Sequence, residues 1–252
     1  LALFVASIAA CAAVLATAAG GAPRSSLDDL SASFRDMQAE DSLNPGMLWV
    51  LEGEALWSSP AGKAGRSCSD CHGDAVSMRG VAARYPAWDE ARQQPITLSG
   101  RIAQCREVRQ LAEPAGEESE AMLGLTAWVG MQSRGMPMSP PADPRLDDAR
   151  ARGAALFERR QGQLNLSCAQ CHEERAGMRL GSAVIPQGHA NGYPQYRLEW
   201  QALGPLARRL RNCMTGVRAE PWPPGSPELI ELELHLALRA AGLRIEIPAV
   251  RP

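Results

Sequence analysis

Apolar positions recur at helical spacing in several stretches of this chain. Leu229, Leu232 and Leu236 share one face of a segment that opens with Ser226-Pro227, a hydroxyl N-cap followed by a proline at the first helical position, and Gly242 stands where such a helix would end. Met122, Leu125 and Trp128 share a face within 118–132. Two shorter helices are expected, one from near Pro45 with Leu51, Ala55 and Leu56, the other from near Asp147 with Ala151, Ala155 and Leu156. Between these elements the periodicity fails. Residues 76–94 and 182–194 mix Gly, Pro and aromatic residues without a repeat and read as long loops, and four prolines within Gly135–Pro144 forbid regular structure there. Leu1–Gly21 is an uncharged, alanine-rich run in which Ala16-Thr17-Ala18 has the small-residue pattern of a cleavage site. It is read as a secretory signal peptide truncated at its start, spanning 1–22 and excluded from the fold. The alternatives are a membrane-spanning helix and, through Ile8-Ala9-Ala10-Cys11, a lipid anchor.

The pattern is written twice. Gly53-Glu54-Ala55-Leu56-Trp57 returns as Gly153-Ala154-Ala155-Leu156-Phe157, and Met78-Arg79 with Pro86 returns as Met178-Arg179 with Pro186. After a slip of a few residues, Arg101-Ile102-Ala103-Gln104-Cys105 matches Arg209-Leu210-Arg211-Asn212-Cys213, and Ala112-Glu113-Pro114 matches Ala219-Glu220-Pro221. A unit of about a hundred residues is the size of a domain rather than of a solenoid repeat. The expected organisation is therefore an internal duplication, with domains at 23–144 and 145–252. The 252 residues are 45% hydrophobic with a net charge of -2, enough for two small cores and no reason to expect a nucleic-acid partner.

The cysteines change the picture most. With Cys11 set aside, six remain, a number that suggests three disulfides in an exported protein. Their spacing points elsewhere: Cys68-Ser69-Asp70-Cys71-His72 and Cys168-Ala169-Gln170-Cys171-His172 are both C-x-x-C-H. In that motif two thiols form thioethers to haem vinyl groups and the histidine supplies the proximal nitrogen to iron. A four-cysteine zinc site or a redox dithiol would not need the histidine after each pair. Two covalently bound haem c groups are expected. Helix, haem motif, long loops, ligand loop and helix is the order of a class I cytochrome c domain, so the fold class is mainly α with two tandem domains of that kind. A distal ligand inherited by both copies should occupy matching positions, and Cys105 and Cys213 do. Met136, Met138, His189 and His235 have no in-register partners.

Cys213 lies among Arg208, Arg209, Arg211 and Arg218. A guanidinium about 4 Å from a thiolate contributes on the order of 4 kcal/mol at an effective dielectric of about 20, which favours the thiolate strongly. Such a cysteine is a good metal ligand, a good nucleophile, or both. The series R-x-x-x-C, a second C-x-x-C-H, and then R-R-L-R-N-C-M-T-G-V-R-A-E-P resembles the SoxA family, dihaem cytochrome subunits of the bacterial thiosulfate-oxidising system. Ser133–Pro137 and Tyr193–Leu198 extend the resemblance over nearly all of the chain past the signal peptide. It implies an L-cysteine S-thiosulfotransferase in the periplasm, joining thiosulfate oxidatively to a cysteine of a SoxYZ-like sulfur carrier. It also implies a SoxX-like monohaem cytochrome as partner, with two electrons passing through the haems towards a terminal cytochrome c acceptor. Carried onto matching positions, His72 with Cys105 and His172 with Cys213 are the axial pairs, Cys213 is also the catalytic cysteine, often a persulfide, and Arg209 binds substrate. Thiosulfate, a small dianion, suits planar cationic donors. The rival expectation is a dihaem electron carrier with no bond-forming role; a dihaem peroxidase fits less well.

Overall fold

The computed structural model describes residues 22–252, so all but one residue of the expected signal peptide, with Cys11, lies outside the described residues. After a short helix α1 (Ala32–Ala39), the chain runs twice through one order of elements. The first pass is α2 (Met47–Ser58), α3 (Ser69–His72), a hairpin of β1 (Ala87–Asp89) and β2 (Gln94–Ile96), α4 (Leu98–Cys105), and α5 (Glu120–Met131). The second is α6 (Asp147–Glu158), α7 (Cys168–His172), a small hairpin β3 (Arg179–Leu180) and β4 (Ala183–Val184), a second hairpin β5 (Gln195–Arg197) and β6 (Ala202–Gly204), α8 (Leu206–Gly216), and α9 (Pro227–Arg239). A last strand, β7 (Ala249–Arg251), adds in parallel to β5.

Local chemistry explains where the helices begin. Ser119 and Ser226 accept hydrogen bonds from the backbone N–H of Met122 and Leu229, and Thr97 accepts one from Gly100. Each histidine-bearing turn has a reciprocal cap. Ser167 and Gln170 form a capping box, and Ser67 and Asp70 exchange the equivalent bonds at 2.7 and 3.1 Å. α9 ends at Arg239, short of the expected Gly242, its last carbonyls taken by the N–H of Ala240. The segments expected to be plain loops hold turns and strands of two or three residues, too short for an alternating pattern to be read from sequence.

α2 crosses α5, and α6 crosses α9, with backbones almost touching. A Cβ on Gly53 would lie 2.1 Å from the carbonyl oxygen of Gly124, and one on Gly153 2.1 Å from that of Glu231. The glycines at the two crossings are equivalent, which accounts for their place in the repeat. Val50, Trp57, Leu123, Ala127 and Trp128 build one core, and Phe157, Ala169, Leu206, Leu232 and Leu236 the other. The copies also exchange contacts. Trp88 of β1 packs on Leu146, Ala149 and Leu234 of the second copy, while Tyr196 of β5 meets Trp49 of the first with ring centroids 5.9 Å apart. The proline-rich segment between the copies is stitched to the C-terminal stretch by Met138 N–H to Leu243 carbonyl (2.8 Å) and Gly242 N–H to Met138 carbonyl (2.9 Å). Met138 is thereby buried in an apolar cluster with Ala83, Ala237, Ala240 and Ile245, a packing role. His235 packs its ring on Phe157, 5.1 Å between centroids. No helix of the described residues is long and apolar enough to cross a membrane.

Candidate functional site

The two C-x-x-C-H turns are held rigidly. In the first, Trp57 donates its indole N–H to the carbonyl of Gly73 at 3.1 Å and lies with its ring centroid 5.7 Å from that of His72, while Gln110 Nε2 reaches Cys68 Sγ at 3.8 Å. In the second, His172 Nδ1 donates to the carbonyl of Pro186 at 2.7 Å. The ring also rests on Gly188, where a Cβ would approach within 3.0 Å of Cγ and Nδ1. Burial lowers the proton affinity of His172, and Arg209 and Arg239 add to this against the opposing Pro186 bond. The imidazole is thus neutral with its proton fixed on Nδ1, and the Nε2 lone pair is left for a metal.

Cys105 and Cys213, expected in ligand loops, lie on helices instead, because the arginine-bearing stretch before each cysteine continues as regular helix; each stands eight positions into its helix, α4 and α8, and each is faced by the attachment cysteines. Burial raises the Cys68 thiol, with Arg106 opposing and Cys105 adding to the rise; Cys105 is raised by burial against Arg101 and Arg109. Cys168 is pushed up to about 11, first by burial and then by Cys213.

The arginines around Cys213 do not act together. Arg208 and Arg211 both face Glu118, at 3.8 and 3.5 Å, and Arg208 stacks over Trp200, 4.3 Å from guanidinium carbon to ring centroid. Arg218 lies beyond the helix in a left-handed conformation, φ 57°. Arg209 differs. It precedes Cys213 by one helical turn, acts electrostatically on His172 and Tyr193, and forms no ion pair with any described residue. Of the four arginines expected around the thiol, Arg209 is the one set a single helical turn from Cys213 on α8 and without an ion pair to any described residue. Tyr193, partly buried, is felt by Arg209, Cys213 and Arg197, and loss of hydration pushes its hydroxyl up to about 12.

One pair of site residues escaped the sequence reading. In the first copy the arginine four residues before the cysteine, Arg101, has Nη1 3.5 Å from Oδ1 of Asp89, a carboxylate 1% exposed. Asp89 also accepts from Gln104 Nε2 at 2.8 Å and Ala91 N–H at 3.0 Å. In the second copy the equivalent strand position is Arg197. The signal was in the sequence, since Tyr85-Pro86-Ala87-Trp88-Asp89 aligns with Tyr193-Pro194-Gln195-Tyr196-Arg197; the counterpart of Pro86 is therefore Pro194 and not the expected Pro186, because the second copy carries the extra hairpin β3–β4 before this point.

The donor chemistry fits haem c: in each copy two thiols and an adjacent imidazole lie on one turn, with a third thiol facing them. Exposed apolar side chains follow in sequence, Val76, Val108 and Leu111 in the first copy and Met178 and Leu180 in the second, giving apolar surface for a macrocycle. The family model of the SoxA/TsdA cytochrome c domain matches residues 52–138 and 152–245, one match in each copy. The chain is 39% identical over 222 residues to the L-cysteine S-thiosulfotransferase subunit SoxA of Pseudaminobacter salicylatoxidans, covering 87% of this chain and 78% of that one. It is 36% identical over 216 residues to the subunit of the same name from Rhodovulum sulfidophilum, covering 85% and 75%. The crystal structure of SoxXA from P. pantotrophus is similar with a TM-score of 0.87 at 32% identity, over 90% of this chain and 86% of that one. A cytochrome c domain binds haem c through thioethers. With both copies matched and these relatives aligned along most of its length, the chain belongs to the SoxA/TsdA cytochrome c family and carries covalently bound haem c.

Proposed function

We propose that the protein conjugates thiosulfate oxidatively to the cysteine thiol of a sulfur-carrier protein, a reading that the name L-cysteine S-thiosulfotransferase of its SoxA relatives supports. Two domains, 23–144 and 145–252, would each hold one haem, on Cys68 and Cys71 and on Cys168 and Cys171. His72 with Cys105 and His172 with Cys213 would be the axial pairs. The haems supply one-electron acceptors, and a partner cytochrome of the SoxX kind takes the electrons onward, as the SoxXA assembly of the structural relative suggests. Export to the periplasm follows from the reading of residues 1–22.

The chain's own residues do the rest. Arg209 holds the thiosulfate dianion with a planar, charge-assisted fork and presents its outer sulfur at Cys213, one turn along the helix. The fixed tautomer of His172 and the packing of Gly188 keep the second site in one geometry during turnover. In the net reaction the carrier S–H bond breaks and an S–S bond to thiosulfate forms. One proton and two electrons are released, and the product keeps one negative charge. The observation that carries this reading is that Arg209, one helical turn before Cys213, has no ion pair with any described residue while its neighbours Arg208 and Arg211 face Glu118. A plain electron carrier has no use for it. Mass spectrometry of a single-cysteine carrier, incubated with thiosulfate, an oxidised cytochrome and the haem-loaded complex, tests the proposal. A thiosulfonate adduct formed by wild type and lost in Cys213→Ala is expected; no adduct above that of a mixture lacking the complex would return the chain to the electron-carrier reading, and equal adduct from both proteins would remove Cys213 from the reaction.

A further inference from the structure

The duplication supplies an internal control, because each position of the second site has a counterpart that has not been asked to do the same chemistry. β1 and β5 follow a Tyr-Pro pair, pair antiparallel with β2 and β6, and end on Asp89 and Arg197, opposite Gln94 and Ala202 respectively. The arginines they face, Arg101 and Arg209, each precede a cysteine by one helical turn. In the first copy the pairing is complete. Burial works against the charge on Asp89, but the Ala91 N–H, Arg101 and Gln104 outweigh it and hold the carboxyl below its ordinary range. Arg101 is neutralised there, and its Nη2 also reaches the carbonyl of Trp88 at 3.5 Å.

In the second copy the sign of that strand position is reversed. Arg197, its side chain 13% exposed, keeps its Nε on Glu199 at 2.7 Å and its guanidinium over Trp200 at 5.3 Å. Burial and then Arg209 lower its proton affinity, so the two cations repel one another across the site. Glu199 and Tyr193 act the other way, but Glu199 is 48% exposed, and the Tyr193 hydroxyl, pushed up to about 12, is neutral. Folding gains nothing by bringing two guanidiniums together in a half-buried place; an arriving anion removes the cost, and a dianion has charge for both. Trp200 and Glu199 fix the orientation of Arg197, so little side-chain entropy is lost on binding.

We propose that Arg197 is a second substrate-binding arginine, forming with Arg209 a two-guanidinium cradle for the sulfonate end of a thiosulfate-like dianion, and that Asp89 closes the equivalent place in the first copy. The choice of Cys213 over Cys105 as the reacting thiol is then set by one strand position, arginine in one copy and aspartate in the other. This rests on the reading of Cys213 as the site of conjugation.

The test uses the full haem-loaded complex and the variants Arg197→Gln, Arg197→Lys and Arg197→Asp beside Arg209→Ala. Steady-state conjugation gives KM and kcat for thiosulfate, and isothermal titration calorimetry gives thiosulfate affinity of the resting protein, a readout independent of turnover. Haem spectra and melting temperature check that each variant is intact. Expected are a KM raised about tenfold or more in Arg197→Gln with a smaller change in kcat, partial recovery in Arg197→Lys, loss of measurable binding in Arg197→Asp, and weakened affinity by calorimetry in the same order. Wild-type KM and affinity in both Arg197→Gln and Arg197→Asp, with Arg209→Ala impaired, would overturn the cradle and leave the proposed reaction standing. A wild-type complex that forms no conjugate at saturating thiosulfate would remove the reaction, and this proposal with it.

Discussion

At the scale of single residues, the account turns on which charges are already balanced. Glu118 faces both Arg208 and Arg211, and in the first copy Asp89 pairs with Arg101, whereas Arg209, one helical turn before Cys213, and Arg218, beyond the helix, have no ion pair with any described residue. Arg209→Ala removes a charge-assisted contact worth on the order of 1.5–3 kcal/mol, so kcat/KM for thiosulfate should fall roughly tenfold to a hundredfold while haem content and melting temperature hold. Arg209→Lys keeps the charge but loses the fork and should recover only part of the rate. Arg208→Ala is the comparison: it loses a Glu118 pair and a Trp200 stack, and its effect should appear in stability rather than in KM. Equal kinetic losses in Arg208→Ala and Arg209→Ala would mean that the stretch acts as a diffuse field after all.

At the scale of elements, the crossings of α2 with α5 and α6 with α9 fix the distance between each histidine-bearing turn and the rest of its copy. Gly153→Ala places a Cβ against backbone that has no side-chain end to move aside. A cost of about 1–3 kcal/mol or more is expected, a fall in melting temperature of roughly 2–4 °C per kcal/mol, measurable by scanning calorimetry. An unchanged melting temperature would show that the helices separate freely. Much of this level was legible beforehand. The four long helices announce themselves by apolar spacing and, for α9, by Ser226-Pro227, and the two C-x-x-C-H turns by their motif. The hairpins were not legible, because strands of three residues offer no alternation to count, and Arg197, just past the segment 182–194 read as loop, stood only within a stretch noted for its family resemblance, with no strand to give it a partner. Met138 was set aside as a distal ligand only for want of an in-register partner; the backbone bonds from Met138 to Leu243 and Gly242 are what reveal it as core.

At the scale of the whole molecule, the two copies meet across a cavity of about 90 Å³ lined by matching residues, Tyr85 and Tyr193, Pro86 and Pro194, Leu98 and Leu206. Two carboxyls face into it, Glu117, which accepts from Ser99 Oγ at 2.6 Å, and Glu233, which accepts from the Ala207 N–H. Burial, and then Glu117, hold the Glu233 carboxyl well above its ordinary 4.5; burial likewise raises Glu117, against the Ser99 bond and with Glu118 adding to the rise. A carboxyl whose folded-state pKa is raised contributes its stability below the unfolded value, and that contribution is lost as pH rises through the folded one. Stability should therefore fall with pH above about 4.5, by at most about 1.4 kcal/mol per pH unit for this group, and Glu233→Gln should flatten the slope and raise the melting temperature more at pH 8 than at pH 5. Parallel curves for variant and wild type would show that Glu233 is not protonated in the folded protein. The duplication itself was plain in the sequence, but not the exchange of Trp88 and Tyr196 between copies, which depends on contacts between residues far apart in the chain. The central claim is that the molecule forms a bond and drains the electrons from it, and one measurement addresses both halves: counting electrons delivered to oxidised cytochrome against thiosulfonate formed on the carrier, with thiosulfate limiting. The account predicts two electrons for each conjugate and neither product in Cys213→Ala; electrons without conjugate would contradict it.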